Sequence, residues 1–151
     1  MREGTELGTH FYLFSGGEPL VRKNVALRLC REHPDCFFLA FTNGTLVDEA
    51  FADALREVGC QLIVHSRHAG TEYAREPTSQ QKTVAAHAVD MGADLVVGHH
   101  PHVVQGYELV DGVPVVYSLG NAVFGGNRDP RDYDALLLQA VFAYEDGAPV
   151  S

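Results

Sequence analysis

The 151-residue sequence predicts an α/β fold with a largely parallel sheet, closed by a C-terminal hairpin and strand. Three observations carry that expectation. Short apolar runs alternate with stretches of helical period, and Gly, Asn-Gly or Ser/Thr/Asp signals punctuate each change. The alternation gives way to a hairpin pattern near residue 103. Strands separated by helices need crossover connections, and crossovers pair strands in parallel.

"HFYLFS" (10–15) reads as a buried strand and leads into the Gly-rich "GGEP". Over 20–33, Val21, Val25 and Leu29 recur at helical spacing, with Ala26 and Cys30 widening the stripe. "CFFLAF" (36–41) is a second buried strand. "TNGTLVDE" then turns through Asn43 and Gly44, and Thr45 with Asp48 has the spacing of a capping box. Phe51, Leu55 and Val58 give the next helix its apolar face, and Gly59 ends it. "QLIVH" (61–65) is the third strand. After "SRHAGTEYAREP", Thr78 and Gln81 cap a helix with Val84, Ala88 and Met91 on one side and Gly92 at its end. "ADLVVG" (93–98) is the fourth strand. In "YELVDGVPVVYSLGN", Asp111 and Gly112 supply a tight hairpin turn. "DALLLQAVFAYEDG" is expected as a last β segment beside that hairpin.

The length suits one domain, taken here as 1–151. Net charge is −9, so the surface repels phosphate backbones and nucleic acid is not an expected partner. An anionic substrate, small molecule or polymer, would need a bound cation or a nest of backbone N–H groups. Cys30, Cys36 and Cys60 lack CxxC spacing and fit buried thiols in a reducing compartment. No apolar stretch approaches the roughly 20 residues of a membrane span, and "MREGTELGTH" lacks signal-peptide character. As written, the chain reads as cytoplasmic.

Each candidate site follows a strand: residues 15–19, 42–45, 65–72 and 98–102. That is the edge where ligands bind in open α/β sheets. "VVGHHPHVV" (96–104) places three of the eight histidines within four positions. Imidazole is the commonest protein ligand for zinc and similar ions. On an extended segment His100 and His102 project to one side, roughly 6.5–7 Å apart at the backbone. Pro101 stiffens the segment, and Gly98 is expected to turn the chain out of the sheet. His99 points the other way, toward a supporting or substrate role. His68 in "HAGTE" can reach the same edge. Glu72 can bind a metal or accept from a ligand ring, and Asn121 offers an amide. His65 and His87 sit in regular elements and read as structural; His10 and His33 read as polar surface residues.

"HAGTEY", "GADLVVGHHPHVVQG" and "VPVVYSLGNAVFGGNRDPRDYD" give residues 60–147 a clear likeness. This segment resembles the C-terminal part of the CapA (poly-γ-glutamate capsule synthesis) family, which is similar to calcineurin-like metallophosphoesterases. The resemblance implies a four-layered α/β/β/α fold and a divalent metal, Zn, Mn or Fe, at strand ends. It places His68, His100 and His102 at metal positions, with His99, Glu72 and Asn121 lining the site; His99 or His68 would assist the chemistry. Two departures stand out. Ala69 replaces the family's usual Trp, and the family's "GD" aspartate and Asn-Asn-His segment have no counterpart in these residues. Weak or absent activity is therefore expected. Relatives in that family often work outside the cytoplasm.

Residues 10–59 resemble a different family, the radical S-adenosylmethionine enzymes, through "HFYLFSGGEPLVRKNV" and "CFFLAFTNGTLVDEAFADAL". That resemblance would cast Gly16, Gly17 and Glu18 as a cofactor-binding loop. The three-cysteine cluster motif is missing, so no iron–sulfur cluster is expected and S-adenosylmethionine is not the expected cofactor. The plain alternative for "GGEP" is a strand-to-helix turn with Pro19 opening the helix. On this reading the chain joins two family fragments near residues 59–60, as a recombined or designed scaffold would.

Overall fold

The computed structural model describes residues 2–14, 17–40, 42, 46–60, 62–123, 131–145 and 148–149. The chain divides into two compact units, Met1–Gln61 and Leu62–Ser151, each with its own sheet. Both are α/β, and the crossover strands pair in parallel as the sequence pattern requires.

In the first unit, α1 (Arg2–Glu6) precedes β1 (Phe11–Phe14), which pairs in parallel with β2 (Phe37–Ala40) from Phe11↔Phe37 to Phe14↔Ala40. Strand alternation puts Tyr12, Phe14 and Phe38 together, with Phe14 and Phe38 stacked at 5.5 Å between ring centroids. The opposite face is open: Phe11 and Phe37 are 60% and 73% exposed. The two strands are thus half-buried rather than buried. Pro19–Arg22 form a 3₁₀ turn, and α2 follows over Lys23–Glu32. The expected stripe is rotated. Val21 is 70% exposed, while Leu20 is buried and Ala26, Leu29 and Cys30 are half-buried. The 3₁₀ turn is the cause, because its tighter winding shifts side-chain phase before the helix begins. α3 (Glu49–Glu57) buries Phe51 and Ala52. Its N-cap is Asp48, whose carboxylate accepts from the Phe51 N–H at 2.8 Å. Thr45, the cap expected from sequence, lies outside the described residues, as do Asn43 and Gly44.

The second unit holds a four-stranded sheet in the order β3–β4–β6–β5. β3 (Val64–His68), β4 (Leu95–His99) and β6 (Val113–Val116) run parallel, and β5 (Tyr107–Val110) pairs antiparallel with β6. β3 lies three residues later than "QLIVH" suggests. Its partner decides this: Asp94, just before β4, accepts the Ile63 N–H at 2.7 Å, so the ladder starts only at Val64↔Leu95. The hairpin turn is as expected, with Asp111 at φ 48° and Gly112 at φ 84°, the left-handed pair a two-residue loop demands.

α4 (Ser79–Asp90) crosses over between β3 and β4. Its capping box is complete: Thr78 accepts from the Gln81 N–H, and Gln81 accepts from the Thr78 N–H. Gly92, at φ 87°, follows the helix end. Ala85 packs with Ala93, Val96, Val115 and Tyr117 in the core, flanked by Ile63, Ala88, Val89 and Val110. Among the described residues, the expected closing β segment does not pair with the hairpin strands. Residues 136–143 have no regular structure, with Leu137 and Val141 94% and 85% exposed. Among the described residues this segment makes a bridge at Gly120↔Ala135, a Leu136 N–H bond to the Leu119 carbonyl at 2.8 Å, and the short pair β7 (Tyr144–Glu145) with β8 (Ala148–Pro149).

Candidate functional site: a histidine rim at the ends of two parallel strands

The site lies wholly within the second unit. His68 and His99 end β3 and β4 and face each other in register, so both side chains emerge on one face of the sheet. The Ala69 N–H donates to the His99 carbonyl at 3.0 Å, holding the two strands together one step past that pair. Beyond His99 the chain leaves the sheet.

Gly98 does not turn it. That glycine sits inside β4, and a Cβ there would lie 2.0 Å from the Tyr117 carbonyl oxygen. Close approach of two backbones is its reason for being glycine. The turn is made by His100 at φ 103° and His102 at φ 59°, both in the left-handed region that non-glycine residues avoid. The extended geometry expected for His100 and His102 is therefore replaced by a bent one. Strain of this kind persists only where the surroundings impose it. Here Pro101 is buried, and its carbonyl accepts the Tyr73 N–H at 2.7 Å.

The bend brings the rings together. His100 Nδ1 and His68 Nε2 are 3.0 Å apart, a hydrogen bond in which one of the two nitrogens carries the proton. Their ring centroids are 4.7 Å apart, and those of His100 and His102 are 6.2 Å apart. His102 Nδ1 donates to Asn121 Oδ1 at 2.9 Å, because an amide oxygen can only accept. In the neutral ring the lone pair of His102 then sits on Nε2, the tautomer a metal ligand needs. The Asn121 amide N–H reaches the His102 carbonyl at 3.4 Å, so Asn121 is engaged with His102 from both ends.

The other expected site residues stand apart from this set. Glu72 is exposed, and the His99 ring is half-buried; neither side chain has a hydrogen-bond partner among the described residues. Glu18 serves as a cap: its Oε1 accepts from the Leu20 N–H at 2.9 Å and from the Thr42 hydroxyl at 2.6 Å. Gly17 has φ 51° in that strand-to-helix turn, and Gly16 lies outside the described residues.

Sequence reasoning missed the residues that hold the rim's loop in place. Gln105, 3% exposed, donates through Nε2 to the carbonyls of Ala74 and Glu76 at 2.8 and 3.2 Å. Its Oε1 accepts from Gln81 Nε2 at 2.9 Å, tying the loop to the helix cap. Tyr73 places its ring 6.1 Å from His102 and under the Arg131 guanidinium. Buried Asp132 pairs with Arg75 at 2.7 Å. Nothing in their local sequence marks these residues, since each partner is supplied by a distant segment.

The family of bacterial capsule synthesis proteins described as PGA_cap matches residues 30–126. This chain belongs to that family. It is 44% identical over 78 residues to the PGA biosynthesis protein CapA of Bacillus subtilis (strain 168), covering 52% of this chain and 20% of that protein. The capsule biosynthesis protein CapA of Bacillus anthracis is 46% identical over 78 residues, with 52% and 19% covered. The uncharacterized protein y4sH of Sinorhizobium fredii (strain NBRC 101917 / NGR234) is 34% identical over 91 residues, with 55% and 20% covered. The chain spans about a fifth of the length of these relatives. No solved structure matches it. The PGA_cap match begins at residue 30 and runs through residues 59–60, where two fragments were expected to join. The comparisons thus do not support the radical S-adenosylmethionine likeness or the two-fragment reading. Among the described residues, no helix is long and apolar enough to cross a membrane.

Proposed function

We propose that this chain supplies the histidine part of a divalent-metal site in a capsule-synthesis protein of metallophosphoesterase type. One observation carries the reading: two imidazole nitrogens from adjacent parallel strand ends lie 3.0 Å apart. Two donors on one tetrahedral ion with bonds of about 2.0–2.1 Å sit about 3.3 Å apart, so the spacing of the pair suits a shared ion that takes the place of the proton between them. His68 and His100 would hold it. His102, oriented by Asn121, would serve the same ion or a neighbouring one. Such an ion polarises a phosphoryl or acyl oxygen of an anionic substrate, which a chain of net charge −9 would otherwise repel. His99, on the same sheet face as His68, would exchange a proton with bound substrate. The aspartate and Asn-Asn-His segment that the resemblance calls for have no counterpart in these residues, so affinity in this chain is expected to be weak.

The test is site-resolved. Mn²⁺ is titrated into the protein while the imidazole nitrogen resonances are followed by NMR. Preferential broadening of His68, His100 and His102 is expected, and a His100→Ala/His102→Ala variant should lose the effect at His68. Broadening at His68 and His100 no greater than at exposed His87 would end the proposal.

A further inference from the structure

Three donor groups of different chemistry meet in the first unit, where β1 and β2 begin. His10 directly precedes β1, and Asp35 and Cys36 directly precede β2. The Phe37 N–H donates to the His10 carbonyl at 2.7 Å, so the parallel register fixes these backbones side by side. His10 Nδ1 lies 3.8 Å from Asp35 Oδ2, and Cys36 Sγ lies 4.0 Å from Asp35 Oδ1. All three donor atoms fall within 4.8 Å of one another, a convergence found nowhere else among the described residues.

The His10–Asp35 separation is long for a hydrogen bond, which brings N and O within about 2.7–3.2 Å. One donor atom from each residue lies within 4.8 Å of the other two, a spacing that shared ligation would tighten. Donors on a tetrahedral ion with bonds of about 2.0–2.3 Å are about 3.3–3.6 Å apart. Half-open side chains, 50% exposed at His10 and 60% at Asp35, can close that gap by torsion alone. The donor set also selects its ion. Thiolate and imidazole favour zinc-like ions over magnesium or calcium, which take oxygen donors.

We propose that His10, Asp35 and Cys36 form a binding site for a zinc-class divalent ion, with water as the remaining ligand. The ion would clamp the starts of β1 and β2. Ligation deprotonates the Cys36 thiol and releases that proton to solvent. This site is independent of the histidine rim, so either can fail without the other.

Co²⁺ is the probe, titrated under reducing conditions into the full chain. The expected result is a thiolate-to-cobalt absorption band that saturates with a single ion and is displaced by Zn²⁺. Cys36→Ser should abolish the band, and His10→Ala should weaken Co²⁺ binding at least about tenfold. The band should persist in Cys30→Ser/Cys60→Ser and in His100→Ala/His102→Ala. Absence of the band in the parent, or its survival in Cys36→Ser, would overturn the assignment.

Discussion

Gly98→Ala adds one methyl group where the structure has no room for it. The new Cβ would sit 2.0 Å from the Tyr117 carbonyl oxygen, 2.6 Å from its carbonyl carbon and 3.2 Å from its Cα. Carbon and carbonyl oxygen normally approach no closer than about 3.3 Å, so the backbones must part by more than about 1 Å. Neither side yields easily. Val97 and Val116 pair in the ladder one residue before these two, and the Leu119 N–H donates to the Gly98 carbonyl at 3.3 Å. Overpacking relieved by side chains costs about 1–3 kcal/mol; here backbone must move, so about 3 kcal/mol or more is expected. At about 4–8 °C per kcal/mol for a unit of this size, the melting temperature should fall by about 12–24 °C. Far-UV circular dichroism melts read this directly. Gly92→Ala is the control: it has φ 87° but open space around it, so it costs only the left-handed strain of about 1–2 kcal/mol. A Gly98→Ala protein melting within a few degrees of the parent, or level with Gly92→Ala, would refute the close-approach argument.

His65 should give the second unit a pH-dependent stability. Burial, and then the neighbouring Arg67 charge, hold its pKa below the ordinary 6.5, and its Nε2 is buried with no hydrogen-bond partner among the described residues. The unfolded chain therefore takes up a proton that the folded one refuses. The stability is complete above about pH 6.5 and declines as the pH falls below it. Melting temperatures measured from about pH 7.5 to about 5.5 should drop less steeply in His65→Leu than in the parent; equal slopes would count against this. Gln81→Ala removes half of the capping box and strands the buried Gln105 Oε1, so a loss of about 2–3 kcal/mol is expected by urea denaturation. A shift below about 0.5 kcal/mol would show that the amide network is not what fixes the loop.

The features legible in the sequence were those decided within a few residues. The hairpin turn at Asp111 and Gly112 and the Thr78–Gln81 cap depend on local dihedrals and short hydrogen bonds, and both formed as their residue types require. Elements whose limits depend on distant partners were misplaced. β3 took "VHSRH" rather than "QLIVH" because Asp94 claims the Ile63 N–H. Apolar residues at 136–141 formed no strand, since apolar composition makes a strand only where a ladder accepts it. The site divided in the same way. Histidine density pointed to His68, His100 and His102, but alternation along an extended strand gave the wrong account of how they meet. A positive φ is not readable from a histidine, whereas it is often readable from a glycine. The Gln81–Gln105 clamp was invisible for a related reason: glutamine carries no mark of burial until its partner is placed.

The left-handed backbone at His100 and His102 puts this rim in tension with the durability of its own scaffold. A glycine at either position would relax the peptide, and an asparagine at 102 would tolerate it, yet both remove an imidazole. Selection for ruggedness alone would erode the pair. Variants that lose these rings and melt later would be the signature of residues kept for what they bind.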